Sequence, residues 1–199
     1  MRPLADIGYD APYVGYSPDL TAVWPGIEPT TGYGLVQSGW YTDPTMGTGC
    51  IDWFTEYENS SGDYSPILSN PGACWSGNMY AEQVLENPTW SGTTLTAGTW
   101  DLMIGDYVEQ TVSVSVLGWT PGFVATVGEL QNSNDQSPGY YASHLQLSGV
   151  KYLNGQSGSW LQPGFWFFSD ASFQQYDSSS WSSNDLFYIW DSRQNSGFE

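Results

Sequence analysis

Glycine and proline interrupt this chain from end to end, 23 and 12 of them in 199 residues, and that spacing constrains what can fold here. Proline removes a backbone donor and glycine weakens any helix interior, so no window holds four turns of clean amphipathic helix. The best helical candidate, Tyr80 to Asn87, is short and stopped by Pro88. Alternating runs survive between the breaks. In Val108 to Leu117, Val112, Val114 and Val116 share one face while Thr111, Ser113 and Ser115 take the other, the pattern of a half-buried strand. Gly34 to Trp40, Ile51 to Tyr57, Thr99 to Gly105, Phe123 to Leu130, Leu145 to Tyr152, Phe165 to Phe168 and Leu186 to Trp190 read the same way. Many short strands between Gly, Pro, Ser and Asn turns predict an all-β fold, an antiparallel sandwich or barrel.

No composition shift marks a domain boundary, and residues 1–199 read as one domain. Residues 1–20, with Pro3, Pro12 and Pro18, read as an extended surface segment rather than a strand of their own. The Ser-rich stretch Gln174 to Asp185 reads as a loop, with Trp181 in its middle to pack on something.

Charge narrows the function. The chain has 3 Lys and Arg against 21 Asp and Glu, a net charge of −18, and only 12% charged residues. Arg2, Lys151 and Arg193 make no basic patch, which excludes phosphate-backbone binding and attraction to anionic membranes. No stretch of about 20 apolar residues exists to span a bilayer. So few cations leave most acids without an ion pair, and protonating them relieves repulsion. That composition suits a secreted, extracellular protein working in acid.

Cys50 and Cys74, separated by 23 residues, read as a disulfide closing one loop, stabilising by about 3 kcal/mol in the chain-entropy view. The alternative is two separate buried thiols. Two cysteines and the lone His144 cannot build a zinc site. Asn59-Ser60-Ser61 is an N-glycosylation sequon, in keeping with secretion. Met1-Arg2-Pro3-Leu4 leads straight into polar, aromatic sequence, which reads as a mature form or a chain expressed without its leader.

One histidine, next to Ser143 and with no Gly-x-Ser-x-Gly elbow, disfavours a Ser-His-Asp triad. Carboxylates on strands that also carry aromatics remain. Glu129 shares a face with Phe123, Ala125 and Val127. Glu56 shares one with Asp52 and Phe54, and Asp101 shares one with Thr99 and Met103, opposite Trp100. Semi-apolar company disfavours a carboxylate's charged form and suits it to acid–base work at mildly acidic pH. The plainer reading of each is a solvated acid. Gln37 shares a face with Leu35 and Gly39, and its amide can donate to an oxyanion without titrating. The plainer reading there is a hydrogen-bonding filler.

Trp24-Pro25-Gly26-Ile27-Glu28, then Leu35-Val36-Gln37-Ser38-Gly39, then Phe54-Thr55-Glu56-Tyr57, resembles the first half of the fungal glutamic peptidases, the eqolisins. Phe123 to Leu130 is similar in layout to the strand that ends in that family's catalytic Glu, at Glu129. The resemblance spans Trp24 to Leu130. Leu130 stands where the family has Trp, and Pro25 where it has a small or β-branched residue. The resemblance implies a two-sheet antiparallel sandwich of the jelly-roll, concanavalin A-like kind, acting as an acid endopeptidase on polypeptide. Glu129 would serve as general base and then acid, and Gln37 would hold the water and the oxyanion. Trp24, Glu28, Trp40 and Glu56 would line the cleft. No metal or cofactor is needed.

The rival expectation is a carbohydrate-binding or structural cell-surface sandwich, for which 11 Trp and 14 Tyr suit stacking on sugar rings. A β-glucanase using Asp101 with Glu129 as its facing acids is a further expectation. The partner is thus a polypeptide or a glycan, and nothing in the sequence specifies an oligomer.

Overall fold

The computed structural model describes residues 8–10, 21–42, 52–68, 81–130, 145–148, 152–154, 159–161, 174–177 and 186–192. In chain order the strands there are β1 (Gly8–Asp10), β2 (Thr21–Glu28), β3 (Leu35–Thr42), β4 (Asp52–Glu58), β5 (Tyr64–Leu68), β6 (Ala81–Ser91), β7 (Thr94–Ile104) and β8 (Tyr107–Ser113). One helical turn, α1 (Val114–Leu117), precedes β9 (Phe123–Leu130), β10 (Leu145–Ser148), β11 (Tyr152–Asn154), β12 (Ser159–Leu161), β13 (Gln174–Asp177) and β14 (Leu186–Asp191). Every described pairing is antiparallel. The fold is an all-β sandwich.

A five-stranded sheet of order β5-β4-β3-β2-β9 packs face to face on a three-stranded sheet of order β6-β7-β8. The order β1-β10-β14-β13 forms a four-stranded sheet, and β11 and β12 form a hairpin. Alternation in β3 explains the packing. Val36, Ser38 and Trp40 face the three-stranded sheet and are buried, and Val36 joins Leu85, Trp100, Leu102, Val112 and Leu117 in one apolar cluster. Each such side chain contributes roughly 1.5–3 kcal/mol by leaving water.

Polar side chains also cross between the sheets. Buried Gln83 on β6 donates from Nε2 to the Pro25 carbonyl at 3.2 Å. Gln110 on β8 donates to the Ser65 carbonyl at 2.8 Å, and Ser38 Oγ donates to the Glu82 carbonyl at 3.3 Å. Pro25 sits in an interior strand, where its missing N–H would spoil a ladder. The β2–β3 ladder accommodates it by lapsing: Thr21–Val23 pair with Trp40–Thr42 and Gly26–Ile27 with Val36–Gln37, while Trp24 and Pro25 pair only with β9.

Several sequence expectations need correction. The helix expected over Tyr80 to Asn87 gives way to strand from Ala81 on: Ala81–Ser91 form β6, with Val84 and Leu85 buried on opposite faces. Its irregularity falls at Asn87-Pro88, where the register shifts and Asn87 takes φ 49. The strand expected over Val108 to Leu117 ends at Ser113, and Val114–Leu117 turn helically so that Val114 and Leu117 are buried and Val116 is exposed. Gly118 closes that turn at φ 68, donating to the Val114 carbonyl, while Ser60 N–H caps the Leu117 carbonyl at 2.8 Å. Residues 1–20 are not wholly outside the sheets, since Gly8–Asp10 pair with β10. Gln174–Asp177, expected in a loop, pair with β14. Phe165 to Phe168, His144, Cys50 and Cys74 lie outside the described residues.

Candidate active site

The face of the five-stranded sheet turned away from the three-stranded sheet carries the carboxylates. Directly paired residues share a face, so the registers define rows across it. One row runs Ala125, Gly26, Gln37, Glu56, Pro66, and the row toward the β2–β3 turn runs Phe123, Glu28, Leu35, Glu58, Tyr64. Two rows beyond Gln37 in the other direction come Glu129, Ala22, Tyr41 and Asp52. The alternation read in β3, β4 and β9 thus sets Gln37, Glu56, Glu28 and Glu129 on one face, with the Trp24 position between them.

Gln37 is the centre of this arrangement. Its side chain is 4% exposed, and Nε2 donates to Glu56 Oε2 at 2.5 Å. Its Oε1 is buried with no hydrogen-bond partner among the described residues. Exposure rises along the row, from buried Gln37 through half-buried Glu56 to exposed Pro66 on the edge strand β5. The site is therefore closed at Gln37 and open toward β5, rather than an open cleft throughout. Behind it, Tyr41 and Phe54 pack edge to face, with ring centroids 6.0 Å apart.

The acids at the end of the face are held by their backbones. The Glu58 carbonyl accepts the Trp119 indole N–H at 2.9 Å, and the Glu28 carbonyl accepts the Gly122 N–H at 2.7 Å. Burial raises the Glu28 carboxyl above the usual range, and the Glu58 charge across Leu35 adds to the shift. No Lys, Arg or His is present among the described residues to offset this. No group of three or more His, Cys, Asp or Glu among them is placed to hold a metal ion.

Glu129 stands two strands over and four residues along from the Gln37 row, which ideal spacings turn into about 16 Å between Cα atoms. The carboxylate in contact with Gln37 is Glu56. Trp40 is no cleft residue: it is 2% exposed, on the face turned to the three-stranded sheet, because β3 alternation gives it the parity of Val36 and Ser38. The glucanase pair also fails. Trp100 enters the core, so Asp101 lies on the outer face of the three-stranded sheet, on the opposite side of the sandwich from the Glu129 row. Burial and then the nearby Glu86 raise the Asp101 carboxyl, against a lowering hydrogen bond from Thr111.

Asn59 organises the β4–β5 turn, its Oδ1 accepting from Ser61 N–H at 2.9 Å and Asp63 N–H at 3.0 Å. Glu58 was missed by sequence reasoning, although its spacing from Glu56 signals a shared face. No protein-family model and no curated protein matches the chain.

Proposed function

We propose that this face belongs to a secreted endopeptidase working in acid, with Gln37 as its central polar group. The observation that carries the reading is the buried amide of Gln37, hydrogen-bonded to Glu56 on one side and, among the described residues, without a partner on the other. The free carbonyl oxygen can accept from the attacking water, the second N–H of the amide remains for the tetrahedral oxyanion, and the amide stays neutral through the acid range. The carboxylate assigned to work with it is Glu56, close enough to take a proton from a water held against the amide. Glu129, the base implied by the eqolisin resemblance, lies farther along the same face, where an extended polypeptide entering from β5 would run.

Cleavage of denatured casein between about pH 2 and 5 tests this, where enzymic carboxyls change protonation. Gln37→Ala and Glu56→Gln should each reduce turnover at least about 100-fold, the scale of one acid–base or oxyanion group. Loss with Glu129→Gln and not with Glu56→Gln would restore the dyad implied by the resemblance. No cleavage by the unsubstituted chain anywhere in that range would end the peptidase reading.

One observation favours a glycan-binding reading. Tyr64, 62% exposed, stands in the row of Glu58 and Glu28, a wet ring beside acids as sugar stacking needs. Tyr64→Ala should then weaken oligosaccharide binding measured by calorimetry, and no binding by the unsubstituted chain would exclude it.

A further inference from the structure

We infer that Glu56, through its own protonation, sets which end of the Gln37 amide the site offers to a ligand. The inference uses the residue pair of the reading above but not the hydrolysis itself. A carboxylate only accepts hydrogen bonds, so while Glu56 is ionised the amide must turn Nε2 toward it, as it does at 2.5 Å. That leaves Oε1 on the free side, buried and without a partner among the described residues. A buried carbonyl oxygen in that condition is a standing penalty that a donor would relieve.

Protonating Glu56 removes the reason for this orientation. The carboxyl O–H becomes a donor, and Gln37 Oε1 is a buried acceptor within its reach. The amide turns half a revolution about its last torsion, placing Oε1 against Glu56 and the NH2 on the free side. One proton is taken up and no covalent bond changes. The free side is then an acceptor above the titration of Glu56 and a donor pair below it. In the ionised state it suits a ligand N–H or O–H, and in the protonated state a carbonyl oxygen, an oxyanion or a carboxylate. Glu56 is a positioning residue in this respect, acting through Gln37.

The titratable groups that share this face with Glu56 are acids and tyrosines. Glu58 and Asp52 share its strand face, and Glu28 on β2 and Glu129 on β9 occupy the same face by register. Tyr41 on β3 and Tyr64 on β5 are the other titratable groups of those rows, with Pro66 directly beside Glu56. None of them is a cation, and no described residue is.

The test is NMR of the full chain between about pH 3 and pH 7, following the Gln37 side-chain NH2 and the Glu56 carboxyl carbon. The two should titrate with one midpoint, the Gln37 proton that faces Glu56 moving upfield as its charged acceptor is lost. Glu56→Gln should flatten the Gln37 response. Glu28→Gln, two strands and one row away from Glu56, should keep it. A Gln37 amide that stays fixed while Glu56 titrates overturns the inference, as does an unchanged titration in Glu56→Gln. If Glu56→Gln does not fold, the unsubstituted chain and Glu28→Gln still decide. Co-titration without casein cleavage would sink the peptidase reading alone, and cleavage with a fixed amide would sink the switch alone.

Discussion

Gly34→Ala tests how tightly the end of the acidic face is built. Gly34 has φ 148, a region reserved in practice for glycine, and a Cβ there would fall against the Trp119 indole, 2.5 Å from Cδ1 and 2.8 Å from Cε2. The backbone conformation alone should cost about 1–3 kcal/mol. Displacing the ring adds about 1–3 kcal/mol of overpacking. Losing the Trp119 bond to the buried Glu58 backbone adds about 1–3 kcal/mol more. These terms overlap, so about 3–6 kcal/mol in total is expected, which shifts Tm by roughly 10–20 °C in a chain of this size. Gly32→Ala is the control: φ is 83, yet nothing lies within 4 Å of its added Cβ, so only the backbone term applies. Urea unfolding followed by tryptophan fluorescence measures both. A difference under about 1 kcal/mol between the two variants would refute the argument, because the indole contact would then carry no weight.

Three further outcomes are expected. The raised carboxyls of Glu28 and Asp101 bind protons more tightly folded than unfolded, so their stabilisation is complete below the ordinary values of 4.5 and 3.8 and fades as pH climbs through the raised ones. Tm in dilute buffer should therefore be higher near pH 4 than at pH 7.5, with Glu28→Gln and molar salt each narrowing the gap, and the reverse order would show that bonds to ionised carboxylates dominate. Gln83→Met keeps the volume but leaves the Pro25 carbonyl without its donor, and should lower urea stability by about 1–3 kcal/mol, whereas an unchanged midpoint would mean that the cross-sheet bond contributes nothing. Asn59→Ala should cost about 1–2 kcal/mol through the two turn amides it abandons, with Asn59→Asp largely sparing it, and mass spectrometry after eukaryotic secretion should show whether Asn59 carries a glycan.

Alternation made much of the acidic face legible. In β3 and β4 it separated Gln37 from Trp40 and grouped Glu56 with Asp52 and Phe54, and the bounds of β9 fell at Phe123 and Leu130 as expected. Where both faces of a strand are buried the signal vanishes, and β6, with Val84 and Leu85 inside on opposite sides, passes for a helix. Val114 to Leu117 failed for the converse reason: an alternating run can also satisfy a single helical turn, and Gly118 with the Ser60 cap selected the turn. The Gln37–Glu56 contact depends on the stagger of neighbouring strands, which no one-dimensional pattern contains. Which parity meets the second sheet is likewise a tertiary fact, and it turned Trp40 from a cleft residue into core.

The lapse in the ladder at Trp24 and Pro25 makes β2 and β3 two short zippers rather than one. Opening either one breaks only a few bonds, so thermal breathing should concentrate between them, one residue from Gln37. Amide exchange should accordingly be faster for the one of Ser38 and Gly39 whose N–H points toward β2 than for the one whose N–H is held by β4. The buried amide of the acidic face thus stands beside the weakest seam of its sheet, and a ligand bound for that closed amide has a natural place to be let in.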